Sequence, residues 1–199
     1  MKQKNEFYNN LSNLEDKVVE LLTSGANLKK SDFHTPTLST ISEKNIPNSR
    51  IIILREFFYP TWQLLFHSDK RSKKIYEIKK ISSLCLVFYD KKEKIQLRIM
   101  GEGKILKNYN NSWQKLGDFS KYNYASYKDP GETSEVPTSG INKEFKNDPS
   151  KSFKNFSTIL VSINLIDWLY LSKLGNRRAE IKINRKSGLI ATNKKWLFP

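Results

Sequence analysis

The sequence predicts a mainly β fold, an antiparallel barrel with helices packed outside it, on three observations. Short runs rich in β-branched and aromatic residues recur from Thr35 onward, turn-forming residues separate them, and helical periodicity is confined to three stretches. With 199 residues, 38% of them hydrophobic and 12% aromatic, the chain can bury one sizeable core, and it is read as a single domain over 1–199.

The elements follow in order. Phe7, Leu11, Leu14, Val18 and Leu21 recur at helical spacing, so residues 1–30 hold an N-terminal helix with one buried stripe, and Gly25 stands where a C-terminal cap is expected. Strands are expected at 35–42, 49–56 and 62–68, a meander broken by the turn-like EKNIPN and by the Pro60 region. A helix over about 70–80 opens at Ser68 or Asp69, and strands at 83–90 and 94–106 form a hairpin around Lys91 to Glu93. Residues 107–117 are read as helical, and 118–152, rich in Gly, Pro, Ser and Lys, as a long irregular excursion. Strands at 156–164 and 178–184 and the terminal KKWLFP complete the chain, which has no internal repeat.

Several function classes lack support. The first twenty residues are polar and charged, without the apolar core of a secretory signal, so a cytoplasmic location is expected. Asn164 and Asp167 interrupt the weakly charged stretch from Phe156 to Ser172, which suits buried strands and not a membrane span. One cysteine, Cys85, allows no disulfide within the chain, and no metal site is expected from it. Two histidines without HExxH spacing and the lack of a Gly-rich phosphate loop argue against a zinc hydrolase or a P-loop enzyme. The net charge of +15 is spread over scattered lysines, which fits weak, salt-sensitive contact with nucleic acid and no specific recognition. Against that lysine background the seven arginines stand out, because guanidinium is the planar, bidentate partner of phosphate.

Three segments carry candidate chemistry. In Ser49-Arg50-Ile51-Ile52-Ile53-Leu54-Arg55, strand alternation sends Arg50 and Arg55 to opposite faces. The stretch from His67 and Ser68 through Ser72, Lys73 and Lys74 places hydroxyls, cations and free backbone donors at a helix start, a natural anion seat. Gln96 and Arg98 share one strand face opposite Ile95, Leu97 and Ile99, and an amide there can donate to and accept from a heterocycle edge. Taken singly, each segment also reads as a solvated strand end, a basic helix or a surface strand face.

Together they resemble the pyridoxamine 5'-phosphate oxidase family, more closely its branch of related FMN-binding proteins of unassigned activity. The resemblance runs from about Thr35 to Gly103 and resumes from Leu165 to Ile181. It implies an FMN-binding split β-barrel of Greek-key type, working as a homodimer with the flavin at the subunit interface. By similarity, Arg50 pairs with the FMN phosphate, and Arg50, Ile51, Ile52, Ile53 and Leu54 line the flavin. His67 and Ser68 match a Tyr-Thr pair beside the flavin, and Ser72-Lys73-Lys74 matches Ser-Arg-Lys at the phosphate. Gln96 falls on the flavin-edge glutamine, Trp168 on a flanking tryptophan and Arg178 on a cofactor arginine.

The substrate side departs from the oxidase. Arg55 replaces a substrate-contacting lysine, the Arg-x-His element before Arg178 reads Leu174-Gly175-Asn176, and no Tyr, Arg and Ser substrate motif is recognisable within 118–140. The resemblance thus implies an FMN-dependent oxidoreductase with an altered substrate site. A flavin carrier or sensor without catalysis is the alternative, and a basic nucleic-acid-binding barrel a more remote one. Arg50 is expected to wait for its ligand, so that its loss weakens FMN binding and leaves folding nearly unchanged.

Overall fold

The computed structural model describes residues 7–106, 110–142, 144–145 and 148–199. The strands are β1 (Thr37–Ile41), β2 (Pro47–Ile51), β3 (Leu54–Phe58), β4 (Gln63–Asp69), β5 (Ser83–Asp90), β6 (Ile95–Leu106), β7 (Phe156–Tyr170), β8 (Arg177–Lys186) and β9 (Leu189–Leu197). The helices are α1 (Leu11–Asn27), α2 (Lys73–Lys80), α3 (Asn110–Gln114) and α4 (Asp118–Lys121). All nine strands join one antiparallel sheet in the order β2-β1-β5-β6-β7-β4-β3, and β8 and β9 extend it from β7.

β7 makes this a split barrel and not a flat sheet. It runs beside β6 along most of its length, pairs with β4 through Phe156–Ser162, and then pairs with β8 through Leu165–Tyr170. At the change of partner β6 carries a bulge between Met100 and Gly101, where a Cβ on Gly101 would stand 2.3 Å from the Ser162 carbonyl oxygen. Only glycine permits that approach. Arg185 closes the same corner by donating to the carbonyls of Ile163 (2.7 Å), Thr61 (3.0 Å) and Trp62 (3.2 Å).

Helix α1 opens at Asn10, whose side chain accepts from the Ser12 N–H, and it buries Leu14, Val18 and Leu22 completely on the main core. Each such side chain stabilises by roughly 1.5–3 kcal/mol, which a helix of this length needs because isolated helices are marginal in water. The helix continues past Gly25, which is not its cap: a Cβ there would stand 2.6 Å from the Phe33 carbonyl oxygen, so the glycine serves close packing. The main core is finished by Phe66, Phe88, Ile99 and Trp168 from the sheet. A smaller cluster of Trp113, Leu116, Tyr124 and Phe156 lies under the excursion.

The expected strand 49–56 is in fact two strands, since Ile52 and Ile53 lie outside both ladders and Arg55 falls in an irregularity of the β3–β4 register. The expected strand 156–164 continues to Tyr170, and Lys194 to Leu197 of KKWLFP form the end of β9. The excursion holds α4 and two 3-10 turns and is tied down by Arg71, which bonds Asp69 and donates to the Ser126 carbonyl. The part of the expected 107–117 helix at 107–109 lies outside the described residues; α3 covers 110–114. Among the described residues no helix is long and apolar enough to cross a membrane.

Candidate functional site

The phosphate-type seat forms where β4 ends and α2 begins. Buried Ser72 caps α2 by position, but its hydroxyl donates back to the Asp69 carbonyl (2.8 Å) and lies 3.0 Å from the Ser68 hydroxyl. The Lys74 ammonium donates to both hydroxyls, at 3.3 Å to Ser68 and 3.2 Å to Ser72, and among the described residues no carboxylate pairs with it. Burial and the nearby Arg50 charge push the Lys74 pKa down. A desolvated cation beside a second cation, with hydroxyls facing it, is stabilised by an incoming anion. Lys73 is exposed and does not join this group.

Arg50 is not a free ligand group. It donates to Thr40 and to Glu77 (3.3 Å), and Glu77 also accepts from Thr40 and from the Asn48 amide (2.6 Å). Burial pushes the Glu77 carboxyl up, but those hydrogen bonds and Arg50 outweigh it, leaving the pKa below the usual carboxylate range. Glu77, Thr40 and Asn48 were missed by sequence reasoning. The available signal was helical spacing, which puts Glu77 on the face of Lys74, three residues on.

Gln96 and Arg178 belong to another face of the sheet. Gln96 lies across from Leu169 on β7, and Leu169 across from Arg178 on β8, so the two side chains share one face. Arg50 instead lies across from Leu38, Leu38 from Leu86, and Leu86 from Ile99, which is the buried face. Within one chain the sheet therefore separates Arg50 and Lys74 from Gln96 and Arg178. Arg178 is clamped bidentately on Asp167 (3.0 and 2.8 Å), which Arg98 also engages. Gln96 makes no side-chain hydrogen bond to a described residue. Trp168 is fully buried on the inner face, opposite Arg178, and its indole N–H has no partner. Strand parity thus keeps it off the face on which Gln96 and Arg178 stand.

Arg55 and His67 come together in a third place, beneath the excursion. The His67 ring meets Phe156 edge-on at 5.0 Å, and Phe156 packs with Trp113 and Tyr124. Burial and then the Arg55 charge lower the His67 pKa to about 3, so the imidazole is neutral at physiological pH. Both ring nitrogens, the Arg55 Nε and the Thr158 hydroxyl across the β4–β7 ladder are buried without a hydrogen-bond partner. These polar atoms without a protein partner cluster in one place, where a polar ligand or a water would satisfy them.

The residues present fit FMN at the seat. Its dianionic phosphate suits Lys74, Arg50, Ser68 and Ser72, with Glu77 fixing the guanidinium. Beside them Ile53 is 37% exposed, an apolar side chain suited to covering a ring, whereas Ile51, 64% exposed, stands on the opposite sheet face with Val87, and Ile52 and Leu54 are buried and could offer only backbone.

Comparison with known proteins agrees with this reading. Residues 16–107 match the family model "Pyridoxamine 5'-phosphate oxidase, FMN-binding domain". Among solved structures, the fold is similar to a pyridoxamine 5'-phosphate oxidase-related, FMN binding protein of Nostoc punctiforme, with TM-score 0.74 and 20% identity, covering 92% of this chain and 96% of that one. It is also similar to PhzG of Burkholderia lata, solved with tetrahydrophenazine-1-carboxylic acid, with TM-score 0.70 and 12% identity, covering 100% and 99%. No curated protein matches the chain. The shared fold, the matched segment and the phosphate seat lead to one conclusion: residues 16–107 are similar to the FMN-binding domain of pyridoxamine 5'-phosphate oxidase, the fold is that of its split-barrel relatives, and the cofactor that such a domain binds is FMN.

Proposed function

We propose that the protein is an FMN-dependent oxidoreductase of the cytoplasm, a single flavin-binding domain that works as a homodimer with each flavin held between subunits. The observation that carries this reading is the half-buried Lys74 ammonium, held by two hydroxyls beside Arg50 with no carboxylate of its own among the described residues. Arg50 and Lys74 hold the phosphate, Glu77 fixes Arg50, and Ile53 covers the ring, while Ile51 stands on the sheet face that meets the partner. Gln96 of the partner subunit meets the ring edge, because its own chain places it on the opposite face of the sheet. FMN, once bound, supplies a ring that accepts and returns electrons; the protein supplies binding, orientation and exclusion of water.

The unpaired donors of Arg55 and His67 favour catalysis over mere carriage, since a carrier has no use for polar atoms buried without partners. Pyridoxamine 5'-phosphate itself is a poor substrate in this reading, because Leu174-Gly175-Asn176 stands where Arg-x-His is needed. The test is direct. A yellow preparation that releases FMN on denaturation, is reduced by an added donor and passes the electrons on at many turnovers supports the enzyme. Flavin that binds stoichiometrically but never turns over with any donor and acceptor pair makes the protein a carrier or sensor.

A further inference from the structure

We propose a second ligand site, separate from the flavin seat, that takes an organic anion with an aromatic body and at least two acid groups. A pocket of about 700 Å³ opens between the C-terminal half of α2, the end of β6 and the start of β7. Its apolar floor includes Ile78, Ile105, Phe153 and Phe156, of which Ile78 and Phe156 are buried. Its rim carries Lys70, Lys79, Lys104 and Lys154, and among the described residues no aspartate or glutamate lines it.

Charge and shape together define the occupant. The side chains of Lys70, Lys79 and Lys104 make no hydrogen bond or ion pair with a described residue, and Lys154 lies over the Phe145 ring at 5.0 Å from its centroid. Four ammonium groups around one mouth repel one another, and a ligand with two or more negative charges relieves that repulsion where a single charge would leave most of it. The volume lies within the ordinary range for small-molecule sites and is far more than an inorganic anion fills. Two phenylalanine rings on the floor favour an aromatic body. Helix α2 contributes to both sites, but no residue of the seat lines this pocket: Lys74 faces Ser68 and Ser72, and Glu77 faces Thr40, Asn48 and Arg50, while Ile78 and Lys79 near the end of the helix line the pocket.

The test uses the fluorescent dianion bis-anilinonaphthalene sulfonate on the whole protein saturated with FMN. One dye is expected to bind per chain, more weakly as salt rises. The doubly substituted variant Lys79→Gln, Lys104→Gln should weaken it about tenfold, because both changes remove exposed charges from the rim. The control Lys29→Gln, Lys30→Gln, on an exposed stretch outside the pocket, should leave dye binding unchanged. Equal loss in both variants, no loss in either, or competitive displacement of the dye by FMN overturns the proposal. FMN titration of the same variants is read separately: failure to bind FMN counts against the flavin reading and leaves this site standing.

Discussion

An arginine that serves a phosphate from a strand must first be held in place, and Glu77 holds Arg50. That changes what its removal does. Arg50→Ala is expected to weaken FMN binding by about 10- to 150-fold, the effect of one charge-assisted hydrogen bond, while riboflavin affinity stays nearly constant. Folding suffers as well, contrary to what the sequence implied, because Glu77 is 3% exposed and loses its countercharge. A loss of about 1–3 kcal/mol in urea unfolding is expected, and no loss would show that Thr40 and Asn48 suffice for Glu77. His67 gives a second residue-level test. Its pKa is 6.5 without its surroundings and about 3 in the fold, so below 6.5 the unfolded chain binds a proton that the folded chain refuses. Stability should therefore fall as pH drops from 6.5 toward 3, and His67→Phe, which keeps a ring against Phe156, should flatten that part of the profile. An unchanged slope in the variant would place the titrating group elsewhere.

Three adjacent strands meet at Asp167, which joins Arg98 on β6 to Arg178 on β8 across β7. Burial raises the Asp167 pKa, but hydrogen bonds from Arg178 and Arg98 and their charges more than reverse this, and the result lies below 3.8. Its stabilisation is thus full above 3.8 and is lost as pH falls through the lowered value. Asp167→Asn should destabilise the protein at neutral pH by about 1–3 kcal/mol and by much less in strong acid; an equal loss at both would assign the effect to packing. The same strands show what the sequence could and could not convey. Period-2 alternation located β5 and β6, and apolar spacing located α1, because those patterns depend on one burial face each. The break at Ile52 and Ile53 was hidden, since consecutive β-branched residues read as continuous strand. Glu77 under Arg50 and the inward turn of Trp168 required strand register and helix docking, which are tertiary facts. The seat at Ser68, Ser72 and Lys74 was legible because one helix start assembles it locally.

At the scale of the whole molecule, one flavin cannot reach both halves of the predicted site within one chain. Arg50 shares its sheet face with Leu38, Leu86 and Ile99, while Gln96 shares the other with Leu169 and Arg178. That second face also bears Ile51, Val87 and Tyr89, and Ile51 and Tyr89 are 64% and 41% exposed, so it offers apolar surface to a partner. A two-fold dimer would bring Gln96 of each subunit to the phosphate seat of the other, giving two equivalent sites. Mixing variants tests this without any assumption about the reaction. Arg50→Ala and Gln96→Ala homodimers should each bind FMN weakly. After subunit exchange in equal amounts, half the dimers are mixed, and in each of these one site carries both defects while the other carries none. About a quarter of all sites should therefore regain native FMN affinity, seen as a tight phase in a titration. A protein that sediments as a monomer with FMN bound, or a mixture that never shows the tight phase after verified exchange, would mean that each chain binds its own flavin and that Gln96 has no part in the site.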